Sequence, residues 1–100
     1  MTTIIQENGN QVIASFEGRL DTAASVKTTT AVKPLLEARE KEIILECSKL
    51  AYISSSGLRI FLSIRKEAAQ HGCKVIVRNL NSDVHQVFVM TGFISLFEIQ

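Results

Sequence analysis

The stretch Cys47-Ser-Lys-Leu-Ala-Tyr-Ile-Ser-Ser-Ser-Gly-Leu-Arg-Ile-Phe-Leu-Ser-Ile-Arg65 leaves few options for how the chain can fold. An apolar strand runs into a serine cluster and then directly into a helix. Just upstream, Ile43-Ile44-Leu45 is a β-branched and leucine run suited to a strand buried on both faces. Ser54, Ser55 and Ser56 supply side chains fitted to a helix N-cap, and Gly57 adds no bulk, so the first helical amides can face outward. A hydroxyl there is exposed beside a helix start that favours negative charge. Those are the requirements of a phosphoacceptor serine or an anion site.

The remaining elements alternate between strand and helix. Thr3 to Gln6 and Gln11 to Phe16 are β-prone runs separated by Glu7-Asn8-Gly9-Asn10, whose Asn-Gly signals an antiparallel hairpin. Gly18 and Asp21 end the second strand, and Asp21 or Thr22 caps the helix that follows. From Ala23 to about Arg39, Ala24, Ala31, Leu35 and Ala38 share one face at helical spacing, with a break expected at Pro34 near Ala31 to Lys33.

The helix from Ser56 to about His71 groups Leu58, Phe61, Leu62, Ala68 and Ala69 in one arc, which Ile60 and Ile64 widen. Either a neighbouring helix or a partner protein is expected over Ile60 and Ile64. Arg65 falls inside the arc, its long stem reaching past the apolar edge. His71-Gly72 closes that helix, and Cys73 to Arg78 is the fourth strand. A third helix starts at Asn81 or Ser82, directs Val84, Val87 and Phe88 inward, and ends at Thr91-Gly92. Phe93 to Phe97 reads as a last strand.

This order predicts a mixed, mostly parallel α/β sheet of about five strands, with an N-terminal hairpin and about three helices, in one domain over residues 1–100. The functional crevice of such a sheet lies off the carboxyl ends of its strands. The loop at Gly18 to Thr22 and the loop at Ser48 to Ser56 both belong to that edge, so Asp21 and Ser55 are expected to be neighbours.

Charge and composition remove several function classes. Lys plus Arg number 11 against 10 Asp plus Glu, and a net charge of +1 provides no field for nucleic acid or an anionic membrane. No apolar run approaches the ~20 residues that span a bilayer, and the N-terminus lacks a basic region followed by an apolar core; a cytoplasmic protein is expected. Cys47 and Cys73 have no metal-ligand or Cys-x-x-Cys spacing and read as reduced core cysteines. No metal, cofactor or catalytic residue is expected. A nucleophilic serine would need a base, yet His71 lies a helix length from Ser55, His85 sits on the third helix, and Gly-x-Ser-x-Gly is absent.

Tyr52-Ile53-Ser54-Ser55-Ser56-Gly57-Leu58, preceded by Gly18-Arg19-Leu20-Asp21, resembles the signature pair of the STAS-domain anti-sigma-factor antagonists over nearly the whole chain. The resemblance implies that Ser55 is phosphorylated by a partner kinase and that Ser54 stands where the family usually has aspartate. It also implies partner contacts through Asp21, Thr22, Ser54, Ser56, Gly57, Leu58 and Arg59. The implied partners are an anti-sigma factor with serine-kinase activity and a phosphoserine phosphatase, with transcription regulated through a freed sigma factor. Members commonly carry a further C-terminal helix, so a surface left to a partner or to a homodimer is expected here. Two alternatives stay open at this stage: a STAS subunit of a lipid-transport ABC ATPase complex, or an anion- or nucleotide-binding module. The latter would lack Gly-x-x-x-x-Gly-Lys-Ser/Thr.

Overall fold

The computed structural model describes residues 1–100. Strand β1 (Thr2–Asn8) turns through Gly9 and Asn10 into β2 (Gln11–Leu20), and the two pair antiparallel from Thr2↔Glu17 to Asn8↔Gln11. Gly9 has φ 60 while Asn10 keeps a negative φ, the requirement of a two-residue type II′ hairpin turn. The chain then alternates: α1 (Thr22–Ala31), α2 (Lys33–Glu37), β3 (Glu42–Ile53), α3 (Ser55–Gln70), β4 (Lys74–Arg78), α4 (Ser82–Thr91), a single 3-10 turn (Phe93–Ser95) and β5 (Glu98–Ile99). The sheet order is β1-β2-β3-β4-β5, with β2 to β5 parallel. This is the mixed α/β sheet with an N-terminal hairpin that the sequence predicts.

All the helices pack on one face. Val12, Ala14 and Phe16 of β2, Ile43, Leu45 and Cys47 of β3 and Val77 of β4 point into a single core, as the two-residue period of a half-covered sheet requires. Phe61 of α3 centres it, 5.3 Å from the Phe16 ring, 6.0 Å from Phe88 and 6.4 Å from Phe97. On the open face, paired Ile13, Ile44 and Ile76 form an apolar row. Ile44 and Ile76 are nonetheless only 2% and 4% exposed. Beside that row, Glu46 accepts from Arg78 Nε at 2.8 Å, from Asn79 Nδ2 and from the Ser48 amide.

Local structure departs from the sequence expectation in the details of four regions. The break expected near Ala31 to Lys33 is present, since the run from Ala23 to Arg39 forms α1 and α2 on either side of Val32, with Pro34 in the first turn of α2 where its missing amide costs nothing. The buried residues of that run are Ser25, Thr28, Val32 and Leu35, whereas Ala24, Ala31 and Ala38 are half-buried. The polar ones can face inward because their hydroxyls bond back along the helix: Ser25 Oγ to the Thr22 carbonyl at 2.7 Å and Thr28 Oγ1 to the Ala24 carbonyl at 3.0 Å.

Residues 48–53, expected as a loop, continue β3. Cys47, Leu50 and Ile53 are buried at a spacing of three because β3 carries one extra residue against β2 between Ser15 and Glu17 and another between Gly18 and Arg19. Gly18 accommodates the distortion at φ 107.

Helix α3 begins at Ser55, one residue earlier than expected, and Leu62 and Ala69 are exposed although they lie in the predicted apolar arc. Ile60 and Ile64 are buried on the side where α1 and α2 pack, so a neighbouring helix covers them. Arg65 reaches off the helix, and its Nε donates to the Leu96 carbonyl at 2.7 Å.

Phe93 to Phe97 does not form a strand. After the left-handed Gly92 the chain makes a tight turn, which stacks Phe93 and Phe97 against Phe88 at 6.3 and 6.1 Å, and only Glu98–Ile99 pair with β4. Apolar residues at 93, 94, 96 and 97 have helical rather than alternating spacing.

Gly57 fixes where α3 meets the sheet. A Cβ there would lie 2.7 Å from Leu20 Cγ and 2.8 Å from Ile53 Cγ1, closer than carbon atoms can approach. Gly57→Ala should therefore destabilise the fold by about 1–2 kcal/mol in urea unfolding, overpacking outweighing the better helix propensity of alanine. A stabilised variant would show that the helix start is not wedged there.

Burial pushes the Glu46 carboxyl up, but its hydrogen bonds from Arg78, Asn79 and Ser48 outweigh this and hold it below the ordinary carboxylate range. A depressed folded-state value means that its stabilisation is present above the unfolded value and is lost as pH falls through the folded one. The stability gap between the protein and Glu46→Gln should be full at pH 7 and close in acid below the usual carboxylate range. A pH-independent gap in chemical unfolding would contradict this assignment.

Candidate functional site

Leu20 pairs with Ile53, and the Ser54 amide donates to the Leu20 carbonyl at 2.9 Å, so β2 and β3 stop in step. The next residue of each strand is extended, Asp21 at φ −86, ψ −178 and Ser54 at φ −89, ψ 173, and each caps a helix. Asp21 Oδ1 accepts from the Ala24 amide at 2.8 Å, and Ser54 Oγ accepts from the Gly57 amide at 3.2 Å. Two helix N-termini thus start side by side on the carboxyl edge of the sheet.

Capping consumes Ser54 and leaves Ser55 free. Ser54 is 9% exposed, whereas Ser55, the first residue of α3, is exposed and Ser56 half-buried. The amides of the first helical residues have no intrahelical acceptor, and the helix dipole places partial positive charge there. A phosphate on Ser55 would meet those donors. Because Ser54 is neutral, no carboxylate stands immediately before Ser55; the acid at the two strand ends is the capping Asp21.

The other sequence-predicted residues divide by exposure. Thr22 and Arg59 are exposed and Asp21 is half-buried, so these can meet a partner. Gly57 and Leu58 are buried, Leu58 at 6% within the main core. They shape the turn from below and do not present a surface.

Two depressions flank the turn. One, of 280 Å³, lies between α1/α2 and α3 and is lined by the hydroxyl residues Ser25, Thr29, Ser56 and Ser63, by the apolar Val32, Leu36 and Ile60, and by Arg59. The other, of 170 Å³, lies toward α4 and is lined by Ile53, Val84, Val87 and Asp83. The Arg19 guanidinium belongs to it, stacked 4.3 Å over the Tyr52 ring. Sequence reasoning did not single out Arg19, Tyr52 or Asp83. Arg19 lies inside the Gly-x-Leu-Asp segment, but its pairing with Tyr52 depends on the register shift at Gly18.

His71 caps the far end of α3, about 24 Å along the helix from Ser55 at ~1.5 Å per residue. His85 is exposed on α4. Burial, reinforced by the Glu46 charge, pushes the Cys47 thiol up to about 12, leaving it an inert core group at neutral pH. Cys73 is half-buried, its Sγ 3.3 Å from the Ala38 carbonyl, and both thiols are free. No group of three or more His, Cys, Asp or Glu side chains is arranged to hold a metal ion, and no helix is long and apolar enough to cross a membrane.

Comparison with known proteins gives a consistent assignment. The chain is 28% identical over 88 residues to a Bordetella bronchiseptica protein named "Putative anti-sigma factor antagonist BtrV", covering 88% of this chain and 76% of that protein. Its fold matches an anti-sigma-factor antagonist STAS domain protein of Planctomyces limnophilus with TM-score 0.88, at 10% identity, over 98% of this chain and 87% of that one. It also matches the unphosphorylated anti-sigma factor antagonist SpoIIAA with TM-score 0.74, at 16% identity, over 99% of this chain and 87% of that one. The family model for the STAS domain matches residues 2–100. The chain belongs to the STAS domain family.

Proposed function

We propose that this protein is a cytoplasmic anti-sigma-factor antagonist whose docking is switched by phosphorylation of Ser55. The observation that carries this reading is the division of labour in the serine turn: Ser54 is spent on the cap while the neighbouring hydroxyl stands exposed at a helix start. Unmodified, the turn binds an anti-sigma factor with serine-kinase activity through Thr22, Ser56 and Arg59 around Ser55, with Asp21 at the edge. The anti-sigma factor then releases its sigma factor, and transcription changes without this chain touching DNA.

The kinase holds ATP and Mg²⁺. Ser55 Oγ forms a bond to the γ-phosphorus while the bond from that phosphorus to the bridging oxygen breaks, ADP leaves, and the hydroxyl proton passes to a base of the kinase. A phosphoserine phosphatase resets the switch by hydrolysis. The chain itself is substrate and ligand, with no catalytic role. Phosphate adds roughly −1.5 to −2 charges at neutral pH. The first amides of α3 tolerate that charge, but a partner surface fitted to a neutral hydroxyl must desolvate it and does not.

Ser55→Asp should weaken binding to the cognate anti-sigma kinase more than tenfold, or about 1.4 kcal/mol. Ser55→Ala should bind as the unmodified protein does yet resist switching by ATP. Calorimetry on both variants, with mass spectrometry of the ATP-treated complex, provides the test. Equal affinities, or an unmodified Ser55 after incubation with kinase and ATP, would overturn the reading.

A further inference from the structure

The two edges of the sheet are unlike. β5 is only two residues long, whereas β1 runs for seven, Thr2 to Asn8, with no proline, no lysine and no register shift against β2. Those are the devices that normally keep an edge strand from pairing.

The hairpin fixes which backbone groups of β1 remain open. In a two-residue hairpin the closing pair, here Asn8 and Gln11, exchanges ladder hydrogen bonds, and alternate pairs follow suit. Gln6, Ile4 and Thr2 therefore bond to β2, while the amides and carbonyls of Thr3, Ile5 and Glu7 point away from the sheet.

We propose that β1 is a homotypic docking edge, which pairs antiparallel with β1 of a second copy in the register centred on Ile5. That register alone sets open residues against open residues all along the strand: Ile5 against Ile5 of the second copy, and Thr3 against Glu7 of the second copy on either side. Each of these narrow pairs exchanges both N–H···O bonds. Glu7 is the only charged residue of β1, and it meets a threonine, so no like charges face each other. On the other face Ile4 lies opposite Gln6. Side-chain direction is preserved only by a two-fold axis normal to the sheet, and such an axis extends the five strands into one continuous sheet with the helices of both copies on the same side.

A second copy suits this edge better than an unrelated extended peptide, because the fit of register, charge and open groups is the strand's own complement of itself. One seven-residue strand pair is a small contact beside the roughly 1,200 Å² or more of a tight interface, so a reversible dimer with Kd on the order of 100 µM is expected. The two-fold axis points the carboxyl edges of the two sheets in opposite directions and leaves both Ser55 turns open. The proposal is thus independent of the switch and can fail without it.

Sedimentation velocity from 10 µM to about 1 mM should show the monomer passing into a dimer. Thr3→Glu places like charges opposite Glu7 twice per dimer and should weaken pairing about tenfold, whereas Thr3→Lys should strengthen it severalfold. In a mixed sample of labelled and unlabelled protein, the register predicts an intermolecular Hα–Hα contact between Ile4 and Gln6. Circular dichroism checks that both variants fold. A monomer at 1 mM, a dimer indifferent to the charge at position 3, or intermolecular contacts outside β1 would overturn the proposal.

Discussion

The contact between Gly57 and the side chains of Leu20 and Ile53 governs the geometry of the whole site. With no Cβ, the first turn of α3 can sit directly on the ends of two paired strands. That depth brings the Ser54 amide to the Leu20 carbonyl and the Ser54 hydroxyl to the Gly57 amide. Once these bonds are made, Ser54 is buried and Ser55 has nowhere to point but outward. A single close approach thus decides which of three consecutive serines is structural and which is available for chemistry.

The rest of the core supports that placement from below. Phe61, one turn along α3 from Gly57, ties the helix to β2 through Phe16 and to the C-terminal elements through Phe88 and Phe97. Arg65 adds a polar tie to the Leu96 carbonyl. On the other flank α1 packs on α3 with hydroxyl side chains satisfied within their own helix. Its inward face carries Ser25 and Thr28 where α3 buries Leu58, Ile60, Phe61 and Ile64, and a depression of 280 Å³ lies along that seam. The exposed serine therefore stands on a firmly anchored helix beside a more lightly packed one.

Much of this was legible in the sequence because the signals were local. Asn8-Gly9 marked the hairpin, Pro34 marked the break between α1 and α2, Asp21 and Asn81 served as caps, and the strand-serine-helix run set the position of the turn. What escaped depended on pairing across strands. The continuation of β3 through residues 48–53 depends on the register shifts between β2 and β3, which space Cys47, Leu50 and Ile53 three apart and set Arg19 opposite Tyr52. Phe93 to Phe97 reads as a strand by sequence, but its apolar residues pack on Phe88 through a tight turn instead. The family resemblance implies a partner contact at Leu58, but its place in the apolar arc of α3 carries it into the core.

The central claim is that a charge on Ser55 is absorbed locally by this chain and felt by its partner. Amide spectra of the isolated protein before and after stoichiometric phosphorylation test it most directly. The account predicts large shifts at Ser55, Ser56 and Gly57, smaller ones at Asp21 and Thr22, and unchanged resonances for Phe16, Phe61 and Phe88. Shifts spread through those core residues, or loss of the folded spectrum, would contradict it.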